Sequence, residues 1–185
     1  MTPPPRPWLL TLILLGAMSS VFSSCTVPLV GFAALASTTL SRRQGVVCLS
    51  VIWLVNQALG FSVRNYPLEA NTVAWGVMML AASLAALALG RLIDRRGRRP
   101  STPGIVSLGP RVAVSLTVGF LVYELILWLA SFSLGTTGGF TLAVLGSVLR
   151  TNGLWALGLS VLFCQFDRIT RRWGPRLPSI PSSLP

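Results

Sequence analysis

Six stretches of the chain are apolar over most of their length, and each ends where polar or turn-forming residues gather. They run from Trp8 to Phe22, about Thr26 to Ser41, Val46 to Val63, Thr72 to Leu89, Val112 to Phe132 and Phe140 to Phe166. A helix needs about 20 apolar residues, within a range of about 17–25, to cross the hydrocarbon core of a bilayer. The second stretch is short by that measure. The sixth is long and is interrupted by Arg150, Thr151 and Asn152, with Gly153 beside them marking a point where a helix can break. None shows the alternation of a barrel strand, and polar faces are nearly absent. Six such segments cannot all be buried by so short a chain. In lipid the backbone must satisfy its own hydrogen bonds, which selects helices. The pattern predicts an all-α integral membrane protein, a six-transmembrane-helix bundle over residues 8–166. Residues 1–7 and the basic stretch 167–185 are proline-rich and are expected to be extended, disordered tails.

Composition strengthens this picture. Of 185 residues, 52% are hydrophobic and 10% are charged, against about 25% charged in a soluble domain. That supply cannot cover a water-exposed surface, so a soluble globular enzyme is excluded. Histidine is absent and there are four acids. A histidine-based catalytic triad and a histidine-bound metal are therefore excluded too.

The net charge of +11 comes from fifteen arginines and no lysine. Six crossings put thirteen of the fifteen on one side: Arg6, Arg42 and Arg43, the group from Arg91 to Arg111, and the group from Arg168 to Arg176. By the positive-inside rule both termini are then cytoplasmic, in a bacterial inner membrane. The charge reads as a topology signal toward a lipid bilayer, and nucleic acid is not expected as a partner. Arg6, the apolar run and Val21-Phe22-Ser23-Ser24-Cys25 also resemble a secretory or lipoprotein signal. Phe22 stands where such a signal usually has Leu. Removing the span would leave five crossings, so the first helix is expected to be retained.

The same topology sorts the cysteines. Cys48 and Cys164 fall near the cytoplasmic ends of their spans, and Cys25 alone lies at the outer mouth. A lone outward thiol is either inert or available as a soft ligand. Asn56, Gln57, the loop from Arg64 to Asn71 (with Asn65 and Tyr66) and Trp75 fall on the same side. They form either a binding mouth or an ordinary interfacial belt. A second constellation is Glu124 and Arg150. Each lies about 12–15 Å below the outer end of its span, at 1.5 Å per residue. Each would cost at least ~2.5–3.5 kcal/mol alone in the membrane. They are expected to pair, either to fix helix register or to line a polar path. Ala82, Ala86 and Gly90 form a small-residue face that can dock a partner helix or serve internal packing.

Two resemblances are local. Gly90-Arg91-Leu92-Ile93-Asp94-Arg95-Arg96-Gly97-Arg98-Arg99 is similar to a cytoplasmic loop signature of major-facilitator transporters. Here it follows the fourth span rather than the second, and helix capping with positive-inside charge accounts for it. Ser24-Cys25-Thr26-Val27-Pro28, Val55-Asn56-Gln57-Ala58-Leu59-Gly60-Phe61, Asn65-Tyr66-Pro67 and Ala74-Trp75-Gly76 resemble the BtuM family of small cobalamin-uptake membrane proteins. These are substrate-binding (S) subunits of energy-coupling-factor (ECF) transporters, and the likeness covers residues 24–76. It implies six helices, cytoplasmic termini, an outward pocket, ECF transmembrane and ATPase partners, and a cysteine that ligates the cobalt of the corrinoid. Cys25 is the outward candidate for that ligand.

The expectation is a transport subunit that binds cobalamin or a related corrinoid at its outer face. Cys25, Asn56, Gln57, Asn65, Tyr66 and Trp75 would line the site. No intrinsic cofactor is expected, and thiol-assisted decyanation is the one reaction the resemblance leaves open. There is no phosphate-binding loop and no lysine, so energy must come from partners. The alternatives are a non-transport membrane scaffold or assembly protein, and an ion- or proton-coupled carrier using Glu124 and Arg150.

Overall fold

Local chemistry sets the helix boundaries. Ser41 opens one helix with a reciprocal capping box: its Oγ accepts from the Gln44 N–H at 3.3 Å, and its own N–H donates to Gln44 Oε1 at 3.0 Å. Thr141 caps another, its hydroxyl accepting from the Val144 N–H at 3.3 Å. Gly135, with φ of 72°, closes the helix before it. The computed structural model of the chain describes residues 6–22, 27–96, 105–135 and 139–173. Its elements are α1 (Arg6–Phe22), α2 (Leu29–Thr39), α3 (Arg42–Ser62), α4 (Ala70–Arg96), α5 (Ile105–Leu134) and α6 (Leu142–Trp173). No strand occurs among the described residues. Among the described residues four helices are long and apolar enough to cross a membrane: α3, α4, α5 from Leu108, and α6 to Thr170. The terminal stretches 1–5 and 174–185 lie outside the described residues.

The short apolar stretch near residue 30 has a different character from the others. Pro28 and the extended Leu40 bound α2, so it has 11 residues and is about 16 Å long. Ten of those residues are buried, and α2 packs against all five other helices. It is the axis of the bundle. Its N-terminal cap, Pro28, offers no side-chain acceptor. The Gly31 N–H instead donates to Oδ1 of Asn152 on α6 at 2.8 Å, and Asn152 Nδ2 donates to its own helix at Val148 O, 2.9 Å. Asn152 is 1% exposed. At the other end Arg91 on α4 donates to Ala36 O (3.3 Å), Leu40 O (2.8 Å) and Ser41 O (2.7 Å). A cation there also meets the negative end of the helix dipole.

The helix ends form two layers. At the arginine-rich end, Trp8 donates to Thr39 Oγ1 and packs its ring on Phe163 and Phe166. Asp94 there holds Arg111, whose Nε lies 2.6 Å from the carboxylate. At the arginine-poor end, Arg64 reaches Ser20 O and Asn71 reaches Leu134 O. The start of α1 and the late turns of α6 thus share one end with Arg42, Arg43, Arg91, Arg95 and Arg111. Cys48 and Cys164 are free, buried thiols.

Three expectations change. First, α6 is unbroken through Thr151–Gly153, because Asn152 satisfies its own carbonyl ladder while reaching α2. Second, the Ala82, Ala86 and Gly90 face is not available to an external helix. Ala82 and Ala86 are buried, and Gly90 lets Ser37 of α2 and Ser115 of α5 approach so closely that a Cβ would fall 2.7 Å from Ser37 Oγ. Third, Glu124 and Arg150 do not pair. Arg150 stands about 200° round α6 from Asn152, which faces the core, so it is exposed on the outer side. Glu124 is half-buried on α5.

Capping from a distance has a measurable consequence. Asn152→Ala leaves the buried Gly31 N–H without a partner, at a cost of about 1–3 kcal/mol. Thermal unfolding in detergent is expected to show a clearly lower midpoint. Leu154→Ala, on the exposed side of the same helix, is expected to stay within about 0.5 kcal/mol.

Candidate functional site

The polar groups outside the arginine-rich layer gather where the ends of α1 and α3 meet the 63–69 loop and the start of α4. The loop begins as α3 runs out: the N–H groups of Val63 and Arg64 both donate to Leu59 O, at 3.0 and 3.1 Å. Asn65 then turns left-handed at φ 54°, a conformation asparagine tolerates better than most residues. The turn sends Tyr66 back along α3. Its N–H donates to Gly60 O at 3.1 Å, and its ring lies on the bare face of Gly60, where a Cβ would sit 2.7 Å from the ring.

Arg64 ties the site together. Its guanidinium donates to Ser20 O in the last turn of α1 and to Asn56 Oδ1 at 3.5 Å on α3. Gln57, one position on, lies against the backbone of Gly76 on α4, and no side chain other than hydrogen would fit there. The Gln57 Nε2 is buried and has no hydrogen-bond partner. Trp53, one turn below, donates its indole N–H to Gly76 O at 2.7 Å. Two side chains of α3 therefore clamp one glycine of α4.

Of the expected lining, Asn56, Gln57 and Tyr66 lie along the last two turns of α3, with Asn65 at the turn itself. Asn65 shapes the loop and is exposed. Trp75 does not belong with them. It is half-buried and packs against the apolar cluster of Val30, Ala82, Phe120, Tyr123 and Leu127. Cys25 lies outside the described residues. Its described flanks are Phe22, two residues beyond the Ser20 carbonyl that Arg64 holds, and Val27, just before α2. Arg64 and Trp53 complete the site, and only Arg64 had a sequence signal: it is the one arginine that the charge pattern leaves at the arginine-poor end.

The groups present are hydrogen-bond donors and acceptors with one fixed cation. Among the described residues, no three of His, Cys, Asp or Glu converge as a metal set. The arrangement can hold and orient a polar ligand, and it contains no nucleophile–base pair. No family model, curated protein or solved structure matches the chain. Four apolar helices of spanning length identify it as a membrane protein.

The contact between Tyr66 and Gly60 is testable. Gly60→Val puts carbon where the ring lies, so the 63–69 loop is expected to lose its anchor. Backbone hydrogen exchange from Val63 to Glu69 should rise severalfold while exchange in α5 stays constant. Unchanged exchange in the loop would show that the stacking does not hold it.

Proposed function

We propose that the chain crosses a bacterial inner membrane six times with both termini in the cytoplasm, and that it binds a small molecule from the outer side as the substrate-recognition subunit of a transporter. One observation carries the reading. In a chain this apolar, Arg64 bonds Asn56 at the arginine-poor end, and the next residue, Gln57, holds a buried amide nitrogen with no partner against Gly76. A buried unsatisfied donor is costly in the empty protein, and a ligand acceptor would remove that cost. The arginine-rich layer at the opposite end supports the orientation through the positive-inside rule. In this reading α1 and α2 complete the six crossings: α2 is shielded from lipid by its neighbours, and α1 lies at the periphery with Leu10, Leu14 and Met18 exposed.

The resemblance to the BtuM family makes the ligand a corrinoid. Cys25 would supply its sulfur to cobalt, a soft donor suited to a transition metal in a chain without histidine. Arg64 and Gln57 would meet the amide rim of the corrin. Energy would come from separate transmembrane and ATPase subunits. The carrier alternative has less support, since Glu124 and Arg150 do not pair within one chain.

Purified protein is expected to retain added cobalamin through gel filtration, with an absorbance shift that Cys25→Ala abolishes. On intact cells an impermeant maleimide should label Cys25 and leave Cys48 and Cys164 untouched. Labelling of position 48 or 164 instead would reverse the orientation. Equal binding and spectra in wild type and Cys25→Ala would remove the cysteine from the site.

A further inference from the structure

Among the described residues Glu124 and Arg150 have no hydrogen-bond or ion-pair partner, yet both lie well within long apolar helices. Glu124 is about 15 Å below the end of α5, and Arg150 is about 12 Å below the start of α6. They therefore share a depth on two helices that pack against each other. Charges at such depths face a protein interior or an opposite charge. Neither condition is met inside one molecule for the exposed Arg150.

The glycines of the bundle give a second, independent sign. Of the eight described helical glycines from Gly16 to Gly119, seven face a side chain or backbone of a neighbouring element, and Gly109, in the first turns of α5, faces open space. On α6, Gly146, Gly153 and Gly158 face open space. Gly146, Arg150, Gly153 and Leu157 fall within about 60° of one another round the helix. Bare backbone on a membrane helix lets another helix approach closely. Here that bare strip carries the unpaired cation.

We propose that this face joins two copies of the chain about a two-fold axis along the membrane normal, with Glu124 of each copy paired to Arg150 of the other. The occupant follows from charge complementarity. One molecule carries one unpaired acid and one unpaired base at matched depth on adjacent helices, which is the arrangement a self-complementary interface requires. A two-fold axis along the normal preserves depth, so each acid meets a base at its own level. The exposed Leu121, Leu125 and Trp128 flank Glu124 on α5 and supply apolar contact. The proposal does not depend on the ligand, because Glu124, Arg150 and the open glycines of α6 are not among the residues of the mouth described above.

The test uses the full chain, fluorescently labelled and reconstituted into phosphatidylethanolamine–phosphatidylglycerol vesicles, with subunits counted by single-molecule photobleaching. Wild type is expected to bleach in two steps. Arg150→Glu and Glu124→Arg alone should each weaken the dimer by at least about tenfold in dissociation constant, and the double reversal should restore it. Gly146→Leu should also dissociate the dimer while leaving the unfolding midpoint unchanged, since its side chain meets nothing in the monomer. Single-step bleaching of wild type at every density would overturn the proposal. So would a dimer indifferent to both single reversals and to Gly146→Leu, or co-reconstitution showing that the pair forms only with a different protein.

Discussion

A helix buried in the middle of a membrane bundle cannot leave its ends to water, and this requirement organises the molecule. α2 has no lipid-facing side and too few residues to reach both surfaces. Its first free N–H groups and last free carbonyls lie among other helices, where an unmet polar group costs most. The chain satisfies them from outside the helix: Asn152 of α6 at the N-terminus and Arg91 of α4 at the C-terminus. Each cap is also a tether. Asn152 fixes the height of α6 on α2, with Trp155 packing on Phe32 next to it. Arg91 fixes the cytoplasmic end of α4 in the proposed orientation. Gly31 and Gly90 permit the close approach these contacts need; a Cβ on Gly31 would meet the Asn152 carbonyl at 2.7 Å.

The basic loop takes on a second meaning in this light. Counting arginines along the sequence captures their side but not their work. Arg91 closes α2, and Asp94 is engaged by Arg111, so part of the short Gly90–Arg99 motif holds helix ends together. The motif continues through residues 97–99, outside the described residues. The capping of α2 by Arg91 and the Asp94–Arg111 pair account for the part that is seen.

How much of this was legible beforehand depends on the kind of information a residue carries. Apolar runs and turn residues located all six helices, because length and punctuation are local properties, but they stopped seven residues short at the ends of α4 and α6 and at the start of α5, where the helices continue into arginine-rich sequence. Thr26 to Ser41 was readable as short, but not as central, since enclosure is a property of the five helices around it. Ala82, Ala86 and Gly90 read as a small-residue face for either a partner helix or internal packing. Small residues pack equally well inside, and only the neighbours Ser37 and Gly119 reveal which use applies. Glu124 and Arg150 matched in depth along the sequence but not in azimuth. Azimuth follows from which face of α6 holds Asn152, and that required the contact with Gly31. At the mouth, Asn56, Gln57 and Tyr66 were legible as polar residues out of place in an apolar chain. Trp75 was not, because an indole serves an interface and a core alike.

The division of labour among helices ties these points together. α1, α3 and α4 carry the polar mouth, with Arg64 bridging α1 to α3 and Gln57 and Trp53 gripping Gly76 of α4. α5 and α6 carry the unpaired charges and the unused glycines. α2 joins the two groups and is itself held by one member of each, Arg91 from α4 and Asn152 from α6. A ligand that drew Arg64 or Gln57 inward would act on α3 and α4, and through Arg91 on the lower end of α2. A contact at Arg150 would act on α6, and through Asn152, two residues away, on the upper end of the same helix. The two caps therefore make α2 one element that both faces can bias, beside the direct packing of α4 on α5, so any coupling between ligand and assembly has a short physical route.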